Sequence, residues 1–77
     1  DFFLLLNILI MAKIQLNGKK VTVKNNDSIF VLLKKYKFLN KKVAVEYNGS
    51  IVAKENFKKK LLKNNDRVEI VHFIGGG

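Results

Sequence analysis

Three glycines, Gly75, Gly76 and Gly77, close the sequence directly after the strand-like run Ile70-Val71-His72-Phe73-Ile74. A glycine-rich phosphate loop must open a helix whose amides face the anion, and this triplet precedes none. What it offers instead is the α-carboxylate expected on Gly77, carried by residues without side chains. Such a tail can enter a channel too narrow for any other residue and bring its carboxylate into a buried active site on another protein. The other candidates for chemistry are poorer. His72 is the single histidine, it lies in a strand-like run, and it has no ligand partner at suitable spacing. Glu46, Glu55, Asp66 and Glu69 form no acid–base pair, and the chain has no cysteine. Neither a catalytic constellation nor a metal site is therefore expected.

The 77 residues allow one small domain in which every apolar element shares a single core. Fifteen Lys and Arg against six Asp and Glu give a formal charge of +9, which by itself suggests nucleic acid or an acidic partner. Fourteen of those fifteen cations are lysine, and nine asparagines accompany them. An AT-rich coding bias produces that pairing, whereas a nucleic-acid surface uses arginine forks and stacking aromatics. The lysine clusters at 34–35, 41–42 and 58–60 motivate an alternative reading as a basic RNA-binding module. They lack interleaved exposed aromatics, and a solvated face accounts for them.

Residues 1–10, "DFFLLLNILI", are nearly all apolar but fall short of the roughly 20 residues that span a bilayer. They also lack the basic region and cleavage site of a signal peptide. The expectation is that this segment comes from an over-extended reading frame and that the domain runs from Met11 to Gly77.

From Met11 the elements that must position the tail can be read in order. In "KIQLNGKKVTV", Ile14 and Leu16 alternate with polar residues, as do Val21 and Val23, and Asn17-Gly18 supplies a type I′ hairpin turn. Asp27 or Ser28 then caps a helix of about ten residues. Its buried stripe is Ile29, Leu32, Leu33 and Tyr36, and Asn40 stops it. A strand from Val43 to Tyr47, a second turn at Asn48-Gly49 and a short strand around Ile51-Val52 follow. Phe57 and Leu61 anchor one helical turn. Asn64-Asn65-Asp66 opens the last strand. The order β-β-α-β-β-β predicts an α+β roll of the ubiquitin-like β-grasp kind, a mixed sheet with one helix across one face.

The last strand is apolar on both sides. Side chains alternate with period two, so Val68 and Ile70 face the helix while Glu69, Val71 and Phe73 face away. Val71, Phe73 and Ile74 beside a glycine tail form a candidate docking patch. Ordering each tail residue costs about 1–2 kcal/mol of backbone entropy, and contacts at such a patch offset it.

These residues resemble the ThiS-like sulfur carrier proteins of thiamine biosynthesis, members of the ubiquitin-like β-grasp family. The resemblance covers Met11 to Gly77 and rests on "IQLNGK", "AVEYNGSIVAKENF" and "DRVEIVHFIGGG". It implies that the chain is a carrier and co-substrate, not an enzyme. A carboxylate is a poor electrophile, and in this family an E1-like (ThiF-like) adenylating enzyme uses ATP to convert it to an acyl-adenylate. A sulfur donor protein then leaves a thiocarboxylate, and a ThiG-like thiazole synthase uses the sulfur. Carried over, Gly77 bears the sulfur while Gly75 and Gly76 thread into the partner. The chain itself would bind no cofactor and no membrane and would act in the cytoplasm. The related alternative is the small subunit of molybdopterin synthase, which shares the fold and the Gly-Gly end. Those relatives are longer between helix and last strand, and the "VHF" before the glycines also favours the thiamine branch.

Overall fold

Both Asn-Gly pairs turn the chain as their chemistry requires. Asn17 and Gly18 lie at φ +50° and +83°, and Asn48 and Gly49 at +49° and +88°. These left-handed values suit the two-residue hairpin loop, whose twist matches that of the flanking strands. The first joins β1 (Met11–Leu16) to β2 (Lys19–Lys24), and the second joins β3 (Val43–Tyr47) to β4 (Ser50–Val52). These elements come from a computed structural model of the chain that describes residues 1–74. Gly75, Gly76 and Gly77, on which the tail expectations rest, lie outside the described residues.

β5 (Arg67–His72) lies at the centre of a five-stranded sheet of order β2-β1-β5-β3-β4. It runs parallel to β1, with Leu16 beside Val68, and antiparallel to β3, with Val45 beside Ile70. Helix α2 (Ile29–Lys35) and the sheet enclose one core of Ala12, Ile14, Leu16, Val23, Ile29, Leu32, Leu33, Val45, Val52, Phe57, Leu62, Val68 and Ile70. From Met11 onward the expected order of elements holds. Replacing Leu32, which is 1% exposed at the centre of this core, by alanine is expected to cost about 2–5 kcal/mol, measured by urea denaturation.

α2 begins and ends through identifiable hydrogen bonds. Ser28, and not Asp27, is the cap, and its Oγ accepts from the Val31 amide at 3.1 Å. The helix stops well before Asn40. The Lys37 amide donates to the Lys34 carbonyl and the Phe38 amide to the Leu33 carbonyl, at 3.1 and 2.8 Å. That bond pair is a Schellman motif with Lys37 in the left-handed position at φ +64°. The turn swings Phe38 against the core and leaves Tyr36 outside it, 37% exposed, so the predicted stripe loses its last member. A side chain at positive φ is strained there. Lys37→Gly is expected to stabilise the fold by about 0.5–1 kcal/mol in the same denaturation measurement.

After β4 the chain makes a single 3-10 turn (Lys54–Asn56), and Phe57 enters the core as expected. Leu61 does not. It is 40% exposed and bridges Ser28 through the backbone, while Leu62 is fully buried.

The first residues form a helix of their own, α1 (Phe2–Ile10), capped by Asp1 and running directly into β1. It buries none of its residues. Because β1 and β5 are parallel with Gln15 beside Arg67, the start of β1 and the end of β5 lie at opposite poles of the sheet. α1 is thus remote from the end of β5. Among the described residues, no helix is long and apolar enough to cross a membrane.

Candidate functional site

The candidate site is the end of β5 from which the tail leaves, and three asparagine and aspartate side chains determine how that strand is held. β1 accompanies β5 only to Val68. Beyond it the Asn17 side chain takes the place of a continuing strand. Its Oδ1 accepts from the Ile70 amide at 2.7 Å, and its Nδ2 donates to the Ile70 carbonyl at 3.2 Å. Asn48 holds the start of the same strand. Its Oδ1 accepts from the Arg67 amide at 2.7 Å, and its own amide donates to the Arg67 carbonyl at 2.8 Å. Each hairpin turn therefore serves twice, reversing the chain and gripping the central strand.

Asp66, 8% exposed, is the hub beneath this grip. Its carboxylate accepts from the Tyr47 hydroxyl at 2.5 Å, the Lys63 amide at 2.7 Å and the Asn48 Nδ2 at 3.0 Å. Burial, the hydrogen bond to Asp66 and the charge of Asp66, in that order, push the Tyr47 hydroxyl up to about 12 from 10.0. The unfolded chain thus loses this proton before the folded chain does. The contribution is complete below pH 10 and disappears as pH rises through about 12. Tyr47→Phe is expected to cost about 1 kcal/mol at neutral pH. It should also flatten the alkaline decline between those two values, read from urea midpoints of both chains against pH.

At the other end of β5 the antiparallel register with β3 runs to Val43 beside His72, and the Phe73 amide donates to the Lys42 carbonyl at 3.0 Å. The chain is therefore anchored up to Phe73, one residue short of Ile74. His72 packs against Phe38 with ring centroids 5.8 Å apart, which accounts for it as a structural residue. The faces of β5 divide as the alternation predicts. Val68 and Ile70 are buried, while Val71 is 57%, Phe73 61% and Ile74 86% exposed. Phe57 does not cover them, because it belongs to the core on the helix side.

Ala44 lies beside Val71 and Ile51 beside Glu46 on this open face, extending it across β3 and β4. Val71 and Phe73 are exposed as the alternation predicts, whereas no sequence pattern marks Asn17, Asn48 and Asp66 as the residues that fix the strand. Each sits at a predicted turn, and a turn position gives no sign of the distant backbone its side chain bonds. Among the described residues, no three His, Cys, Asp or Glu side chains group as metal ligands.

The chemistry this geometry permits is presentation. A central strand held by side-chain hydrogen bonds ends at an exposed apolar face of Val71, Phe73 and Ile74, and among the described residues no side chains group as a reaction centre. The comparisons with known proteins agree with that. The family model described as ThiS family matches residues 8–77. A sulfur carrier protein ThiS from Bacillus subtilis is 46% identical over 65 residues, covering 83% of this chain and 98% of that protein. A thiazole synthase from Magnetococcus marinus is 38% identical over 65 residues, covering 84% of this chain but 20% of that protein. In that relative a domain like this one is part of the synthase polypeptide. The crystal structure of a thiamine biosynthesis protein, ThiS, from Geobacter metallireducens superposes with a TM-score of 0.72 at 34% identity, covering 84% of this chain and 99% of that one. The chain belongs to the ThiS family, and it is a sulfur carrier of thiamine biosynthesis and not an enzyme.

Proposed function

We propose that the sulfur travels on the Gly77 carboxylate. In the proposed cycle an E1-like adenylating enzyme joins that carboxylate to AMP from ATP and releases pyrophosphate. A persulfide on a donor protein then attacks the acyl carbon and displaces AMP, and a thiol cleaves the resulting acyl disulfide, leaving the thiocarboxylate and a disulfide on the donor side. A thiazole synthase takes the sulfur, and the carboxylate returns for another round. ATP is a substrate of the partner enzyme, and the carrier contributes only its tail and its docking face. Gly75 and Gly76 supply clearance, since the narrow approach to a buried active site admits backbone but not side chains. Val71, Phe73 and Ile74 dock against the partner. The cycle belongs in the cytoplasm, where ATP and the sulfur donor meet.

The observation that carries this reading is the exposure of Val71 and Phe73 on a strand otherwise locked at both ends. Apolar contact there offsets the entropy of ordering the glycines. The Magnetococcus relative, in which one chain holds a similar domain and a synthase, supports thiazole synthase as the sulfur acceptor. A test is to offer the thiocarboxylated chain to thiazole synthase and to molybdopterin synthase large subunit in parallel. Turnover with the first alone is expected, and turnover with the second alone would overturn the assignment of the acceptor.

A further inference from the structure

A second surface lies at the tail pole, on the helix side of the sheet, and the carrier cycle does not use it. α2, the loop after it and the 3-10 turn enclose an open groove of about 970 Å³. That is within the range of ligand-sized sites, roughly 300–1,000 Å³. Phe30, Leu33, Phe38 and Phe57 form its apolar floor. Lys41, Lys42, Lys54 and Lys58 stand around it, with Glu55 as the one carboxylate in its lining. Two of the ammonium groups sit over the floor itself. The Lys58 Nζ is 4.8 Å from the centre of the Phe30 ring, and the Lys41 Nζ is 5.8 Å from that of Phe38. Lys42, whose carbonyl accepts from the Phe73 amide, ties the groove to the exit of the tail.

We propose that this groove is a second docking site that takes a partner segment in which an apolar side chain is flanked by Asp or Glu. The floor requires the apolar group, because filling it with a wholly polar chain leaves the half-buried Phe30 and Phe38 without apolar cover. The rim requires carboxylates, because four cations against one anion complement only negative charge. Nucleic acid meets the second requirement, but a surface that binds it combines its cations with several exposed aromatic faces on which successive bases stack, and Phe30 and Phe38 are the only half-buried rings in this lining. The position beside Phe73 lets one partner hold the groove and receive the tail together. The inference rests on the carrier reading for that purpose alone, since binding to the groove does not require an active tail.

Selection of a random peptide library displayed on phage against the full chain tests this without assuming a ligand. Recovered peptides are expected to combine Leu, Ile or Phe with Asp or Glu and to shift the amide resonances of Leu33, Leu39 and Phe57. The double variant Lys54→Glu/Lys58→Glu, altered at two exposed positions, should bind them at least about tenfold more weakly. Failure to enrich any peptide, enrichment of peptides without carboxylates, or equal binding to the variant each overturns the proposal. So does a single-stranded oligonucleotide that shifts those resonances when the peptides do not, which would make the groove a nucleic-acid site. Thiocarboxylate formation on the same chain reports separately on the tail, so the two readings fail independently.

Discussion

A chain lacking Gly77 is expected to form thiocarboxylate at least about 100-fold more slowly than the intact chain, with the fold unchanged. In the proposed cycle the tail acts as a measuring rod as well as a handle. One residue extends an open backbone by about 3.3–3.6 Å, and a reacting group misplaced by even about 1 Å can lose about 100-fold in rate. On the proposed cycle, removal of Gly77 should leave the carboxylate of Gly76 a full residue short of the adenylating centre while Val71 and Phe73 still dock. Binding should therefore change far less than turnover. Gly76→Val tests the other half of the idea, because it keeps the length and adds a side chain where the proposed channel is to admit none. Both variants should lose turnover. If Gly76→Val reacts normally, clearance is not the reason for glycine and length alone matters.

The second large effect concerns the open face of β5. Val71→Asp combined with Phe73→Asp is expected to weaken the complex with the adenylating enzyme by about 30- to 1,000-fold. That corresponds to the 2–4 kcal/mol typical of interface hot spots. The same pair should change folding stability little, within about 0.5 kcal/mol for each site, because both side chains already face solvent at 57% and 61% exposure. The contrast with their neighbours makes the test sharp. Val68 and Ile70 lie on the same strand but are buried, and truncating either should unfold the chain before it affects docking. Titration calorimetry beside urea denaturation separates the two quantities. Unchanged affinity with the double aspartate variant would move the docking face elsewhere on the molecule.

What the sequence disclosed and what it concealed follow from the range of the interactions involved. The hairpins were legible because Asn-Gly carries its own backbone preference. The two faces of β5 were legible because alternation is a local property of a strand. The end of α2 was not, since a lysine in the left-handed position carries no signal of its own. Only the packing of Phe38 explains why the chain turns at Lys37. Leu61 and Leu62 are adjacent and chemically identical, and which one enters the core depends on where the bridge to Ser28 places the backbone. The largest omission was the grip on β5. Asn17 reaches Ile70 across 53 positions of sequence, and Asn48 and Tyr47 meet Asp66 across 18 and 19. Pairings at that distance leave no trace in local pattern, yet they hold the strand that carries the open face of Val71 and Phe73.

Intact mass spectrometry after incubation with ATP, an E1-like adenylating enzyme and a sulfur source tests the central claim most directly. The predicted result is a mass gain equal to one oxygen replaced by sulfur, dependent on ATP and absent from the chain without Gly77. An unchanged mass, with an enzyme shown to be active on another carrier, would contradict the account.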